Sequence, residues 1–215
     1  MTTARKSTRL VVPLFTTTNP ACQRHLKKLL SRGESASAEV EGAVRSILHD
    51  VQNRGDRALI TLTKKFDRVA LTASQLGTPP AAMQAALKTL PVPIRKALQA
   101  AAQRIRRFHH KQRQSSWAYR DDLGVALGQK IAPLERVGVY VPGGTAAYPS
   151  SVLMNVIPAK VAGVKEIIIV SPPSPHGANP ALLAAAHIAG ADAFFHVGGA
   201  QAVAALAFGT KTIPR

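Results

Sequence analysis

Val137-Gly138-Val139-Tyr140-Val141-Pro142-Gly143-Gly144-Thr145 decides the fold: a short apolar run with the length of a buried strand, broken by Pro-Gly-Gly. The same device recurs downstream. Ser150 to Gly163 reads as a helix of small and apolar residues, and Glu166 to Val170 as a strand closed by Ser171-Pro172-Pro173. Pro180 to Gly190 reads as a helix, Ala193 to Val197 as a strand and Gln201 to Phe208 as a helix. This β-α-β-α-β-α order with short apolar strands predicts an α/β fold whose parallel sheet is covered on both faces.

Upstream, helical spacing dominates. Pro20 opens a short helix through Leu30. After Ser35-Ala36-Ser37 comes an apolar stripe of Val40, Val44, Ile47, Leu48 and Val51. Asn53-Arg54-Gly55-Asp56 ends that helix with a glycine and caps the next, which carries Leu59, Ile60, Leu62 and Phe66. Residues 70–80 read as a loop in which Thr72 caps a turn. A helix over Ala81–Leu90 follows, then a longer one from Pro93 to Gln112 with Ile94, Leu98, Ala101, Ile105 and Phe108 on one face. Trp117-Ala118-Tyr119 and Val125–Ile131 flank Asp121-Asp122-Leu123-Gly124 as a hairpin. The expected division is a basic extension over 1–34, a helical segment plus hairpin over 35–132, and the sheet domain over 133–215.

Hydrophobic residues make up 46% of the 215, enough to build a core, and no apolar run reaches the roughly 18 residues of a membrane span. A single cysteine, Cys22, rules out an internal disulfide framework and a Cys-based zinc cluster, and reads as a reduced thiol in a cytoplasmic protein. The first 33 residues contain no acid, a composition shared by transit peptides and ordinary basic N-termini. No secretory hydrophobic region is present, and the expectation is that no signal is cleaved.

The net charge of +17 is uneven: residues 1–120 hold 22 Lys and Arg against 6 Asp and Glu, residues 121–215 hold 6 against 5. Such a half can attract a polyanion. Its cations lie along amphipathic helices, as with Arg104, Arg106 and Arg107, without an aromatic stacking platform. A solvated basic face is therefore expected rather than nucleic-acid binding, with a non-enzymatic basic binding module as the alternative.

Ligands of open parallel sheets bind outside the carboxyl ends of strands. Two glycine turns hold that position, Pro142-Gly143-Gly144 after the first strand and Gly198-Gly199 after the third. Glycines there allow close backbone approach and leave helix N–H groups for an anion. Neither turn matches the G-x-G-x-x-G fingerprint or the phosphate loop. The histidines His25, His49, His109, His110, His176, His187 and His196 show no i, i+4 pair. They read as scattered.

Two long strings carry a resemblance. Pro133-Leu134-Glu135-Arg136-Val137-Gly138-Val139-Tyr140-Val141-Pro142-Gly143-Gly144-Thr145 with its continuation Ala146 to Asn155 is similar to the signature of histidinol dehydrogenases. So is Val197-Gly198-Gly199-Ala200-Gln201-Ala202 through Thr210, with weaker similarity in Val51 to Leu59, Lys65-Phe66-Asp67 and Ala102 to His109. The resemblance implies an incomplete Rossmann-like NAD-binding domain. It also implies oxidation of L-histidinol to L-histidine by two hydride transfers to NAD, in a homodimer with one zinc per subunit. The tyrosine before Pro-Gly-Gly and the glutamine of Gly-Gly-Ala-Gln contact NAD in that family, which points to Tyr140 and Gln201.

Family members are roughly twice as long. The zinc ligands, the Glu-His pair that moves protons and a third NAD contact belong to the other half, so no catalytic and no metal residue carries over to this sequence. The expectation is a truncated, inactive N-terminal half, or one half of a two-piece enzyme completed by a C-terminal half.

Overall fold

The computed structural model describes residues 15–31, 38–143 and 147–215. Ser35-Ala36-Ser37, the extension before Phe15 and Gly144-Thr145-Ala146 lie outside the described residues. Two compact units divide the chain, residues 1–43 and 44–215. The first contains α1 (Pro20–Leu30), where Asn19 caps by accepting from the Ala21 N–H at 2.8 Å and Pro20 takes the first turn. Helix α2 (Ala38–Arg54) spans the boundary in sequence.

The second unit continues with α3 (Asp56–Phe66), a 3-10 turn at Ala73–Gln75, β1 (Gly77–Thr78), α4 (Pro80–Thr89) and α5 (Val92–His110). The hairpin β2 (Trp117–Arg120) and β3 (Ala126–Gln129) follows. Then comes the alternation β4 (Arg136–Tyr140), α6 (Pro149–Ala162), β5 (Glu166–Ser171), α7 (Pro180–Ala189), β6 (Ala193–His196) and α8 (Gly199–Phe208). The sheet runs β1-β6-β5-β4, with β4, β5 and β6 parallel and β2-β3 forming a separate ribbon.

The segment 70–80, expected to be loop alone, contains β1, which pairs antiparallel with β6 through Gly77–Phe195 and Thr78–Phe194. Two residues carry no periodicity, so nothing local announces a strand. Its pairing is set by β6: a Cβ on Gly77 would lie 3.1 Å from the Phe195 ring. Thr72 and Gln75 form the expected cap of the turn before it. Gly55, not Asp56, is the N-cap of α3, and the Asp56 carboxylate instead accepts from the Thr212 hydroxyl at 2.6 Å.

β5 is the centre. Ile167, Ile168, Ile169 and Val170 are all buried, since helices cover both faces of the sheet. Ile167 and Ile169 join Val152, Leu153, Val156, Leu182 and Phe194 under α4, α5, α6 and α7. Ile168 and Val170 join Leu59, Leu62, Phe195 and Ala202 under α3 and α8. Val51 and its neighbours Ile47 and Leu48 complete the second core, whereas Val44 at the start of that stripe is exposed. On α5, Leu98, Ala101 and Ile105 pack on the first core while Ile94 and Phe108 stay exposed.

Polar joints fix the strand ends. Asp192 accepts from the Ile167 N–H and from Lys160 Nζ, each at 2.7 Å, and Arg136 pairs with Glu166. Ile169→Ala leaves a cavity in a site with no exposure and should cost about 2–5 kcal/mol. Leu123→Ala, at the 90% exposed hairpin tip, should stay within about 0.5 kcal/mol. Urea unfolding midpoints at constant slope check both.

Candidate functional site

The carboxyl ends of β4, β5 and β6 lie along one edge of the sheet, and the segments that follow them converge on Pro172. A Cβ at Gly143 would lie 3.0 Å from the Pro172 carbonyl oxygen, and one at Gly198 would lie 2.5 Å from Pro172 Cγ. Both turns therefore need glycine to pack against the end of β5, independently of any ligand. Of the predicted turn after β4, only Pro142 and Gly143 fall within the described residues.

Tyr140 and Gln201 are brought together by Gly199. The Tyr140 hydroxyl accepts from the Gly199 N–H at 3.1 Å, joining the end of β4 to the first turn of α8. Gly199 has φ +62°, and a Cβ there would meet Gln201 Oε1 at 2.6 Å, so the glutamine amide is folded over the turn. The tyrosine ring is 39% exposed, whereas Gln201 is 1% exposed. Any partner of this pair would meet the tyrosine first, with the glutamine beneath it.

The opposite face of the same edge holds a cleft of about 270 Å³. Ser171, His176, Asn179, Phe194 and His196 line it, and Tyr140 and Gln201 do not. His176 and His196, read from sequence as scattered histidines, thus share one cavity. The missed signal was position: Ser171 and His196 are the last residues of β5 and β6. His196 Nε2 is 2.6 Å from the Thr78 hydroxyl, which ties β1 to the edge, and burial holds its pKa below the ordinary value. Ser171 Oγ is buried without a hydrogen-bond partner among the described residues. At the start of α7, Asn179 caps the Ala181 N–H, and its carbonyl takes the N–H groups of Leu182 and Leu183. That helix end offers few free donors.

A zinc ion does not fit what is present. Among the described residues no group of three or more His, Cys, Asp and Glu is placed to hold a metal. The half-exposed Tyr140 instead joins its hydroxyl to the first turn of α8 at the carboxyl ends of the strands, where open parallel sheets take ligands.

The depressed pKa of His196 has a pH consequence. Below the ordinary value of 6.5 the unfolded chain binds a proton that the folded chain resists, so acidification destabilises the fold. The urea midpoint should fall as the pH drops from about 7 to about 5, and His196→Gln should flatten that fall. An unchanged slope in the variant would assign the effect to other groups.

The sequence profile described as "Histidinol dehydrogenase" matches residues 30–215. The histidinol dehydrogenase of Chromobacterium violaceum is 52% identical over 202 residues, covering 94% of this chain and 46% of that protein. That of Syntrophotalea carbinolica is 53% identical over 191 residues, covering 88% of this chain and 44% of that protein. The crystal structure of histidinol dehydrogenase from Elizabethkingia anophelis superposes with a TM-score of 0.76 at 36% identity, covering 82% of this chain and 40% of that one. The chain thus spans just under half the length of the curated relatives it matches. With a matching profile over residues 30–215 and relatives about half identical across most of its length, the chain belongs to the histidinol dehydrogenase family.

Proposed function

We propose that these 215 residues supply the NAD-holding part of a histidinol dehydrogenase, which oxidises L-histidinol to L-histidine in two hydride transfers. The observation that carries this reading is the Tyr140–Gly199–Gln201 arrangement at the carboxyl edge of the parallel sheet, in a chain of this family. NAD, when bound, supplies the hydride acceptor. The chain's own contribution is orientation. A tyrosine hydroxyl has one donor and two lone pairs. With one lone pair taken by the Gly199 N–H, the O–H of Tyr140 remains free to donate to a ribose or phosphate oxygen. Gln201, buried beneath the turn, holds the backbone that the ligand would meet.

In this reading the zinc, its ligands and the proton-moving groups come from the part of the relatives that this chain does not span. No step through zinc is assigned to the residues described. The 215 residues alone are therefore catalytically silent, and the working enzyme is a cytoplasmic homodimer of completed subunits. Among the described residues no helix is long and apolar enough to cross a membrane.

The test is NADH formation from L-histidinol, NAD and zinc. The chain alone should give none above background, and joining it to the remaining residues of the Chromobacterium violaceum enzyme should give turnover. Clear turnover by the chain alone would overturn the division of labour. Binding of a polyanion with steep salt dependence, and no NAD binding, would favour the basic module instead. In the completed enzyme Tyr140→Phe should raise the KM for NAD about tenfold, the worth of one or two hydrogen bonds, with a smaller change in kcat.

A further inference from the structure

The hairpin is the part of the second unit for which the fold provides no cover. Its local construction is complete. Trp117 pairs with Gln129, Ala118 with Gly128, Tyr119 with Leu127 and Arg120 with Ala126. Asp121 Oδ1 accepts from the N–H groups of Leu123 and Val125, and the Ser116 hydroxyl closes the open end by bonding the Ile131 backbone. Yet every residue of both strands is exposed.

One face is apolar. Trp117 and Tyr119 stack with centroids 6.1 Å apart, at 54% and 55% exposure, and Leu127 lies across from Tyr119. Two-stranded hairpins are marginal in water without a surface to pack on. Trp and Tyr on such a patch are the residue types that anchor protein interfaces.

The length of the solved relative chooses the occupant. The solved relative contains this fold as 40% of its chain, so a larger body of polypeptide accompanies it there.

We propose that the Trp117–Tyr119–Leu127 face is the docking surface for the second-half polypeptide of a histidinol dehydrogenase. This rests on the functional reading above only in taking such a half as what completes the chain. The apolar face is the centre of the contact, and the hairpin becomes stable when that half packs on it.

The experiment compares the 215-residue chain with a chimera that continues it through the remaining residues of the Chromobacterium violaceum enzyme. The two parts mixed as separate polypeptides serve as a second form. Hydrogen exchange of the amides of residues 117–129 should slow about tenfold or more in the completed forms. Tyr119→Lys with Leu127→Lys should remove that protection. It should leave the circular dichroism of the 215-residue chain unchanged, since both side chains are already exposed there. Hairpin amides that exchange as fast in a folded chimera as in the chain alone overturn the proposal. If that chimera also forms NADH, the functional reading stands without this surface. Slowed exchange with no NADH supports the surface and counts against the functional reading. Protection that grows with the concentration of the 215-residue chain alone assigns the face to a second copy and also overturns the proposal.

Discussion

Burial of β5 on both sides is the constraint from which the rest of the second unit follows. A strand reading Ile167-Ile168-Ile169-Val170 has no polar face to give to water, so helices must lie above and below it. Right-handed crossovers place α6 and α7 on one face, leaving the other to α3 and α8. Once both faces are closed, the edge where the parallel strands end is the place where backbone can open to a ligand. Pro172, just beyond β5, becomes the post against which the turns after β4 and β6 are fitted, and their glycines follow from that crowding.

The alternation from Val137 to Phe208 was legible because each strand has an apolar centre and each helix begins or ends at proline or glycine. β1 was not legible. Two residues at the edge of a sheet have no pattern, and their pairing depends on Phe194 and Phe195, more than a hundred residues away. Exposure was also only half readable. The stripe on α5 continues in sequence to Ile94 and Phe108, but only its middle, Leu98 to Ile105, meets the sheet layer. Periodicity reports which residues share a face, not how far the neighbouring layer reaches.

The candidate site divides in the same way. The resemblance pointed to Tyr140 and Gln201 as candidates, but their link through Gly199 was not legible, because it requires β4 and α8 to meet across the sheet edge. The cleft on the opposite face was invisible for a related reason. Ser171 and His176 come from the end of β5 and the turn after it, His196 from the end of β6, and only the parallel register brings the two strand ends level, with Ser171 beside His196.

The few acids of the sheet region show what kind of work this edge can do. Asp192 satisfies the Ile167 N–H and pairs with Lys160, Glu166 pairs with Arg136, and Asp121 builds the hairpin turn. Each of these three is spent on a structural joint, and the other two acids of residues 121–215, Asp122 and Glu135, do not line the cleft. No carboxylate lines the cleft, whose titratable residues are His176 and His196. One of these is held towards its neutral form by burial and bonded to Thr78. Among the described residues, the groups at the strand ends are hydroxyls, amides and imidazoles, suited to hydrogen-bond and orient a ligand. General-base chemistry needs a group placed and poised to take a proton. In the proposed reading this edge is a holder, and it is the family resemblance that assigns the proton transfers to the part of the enzyme beyond these residues.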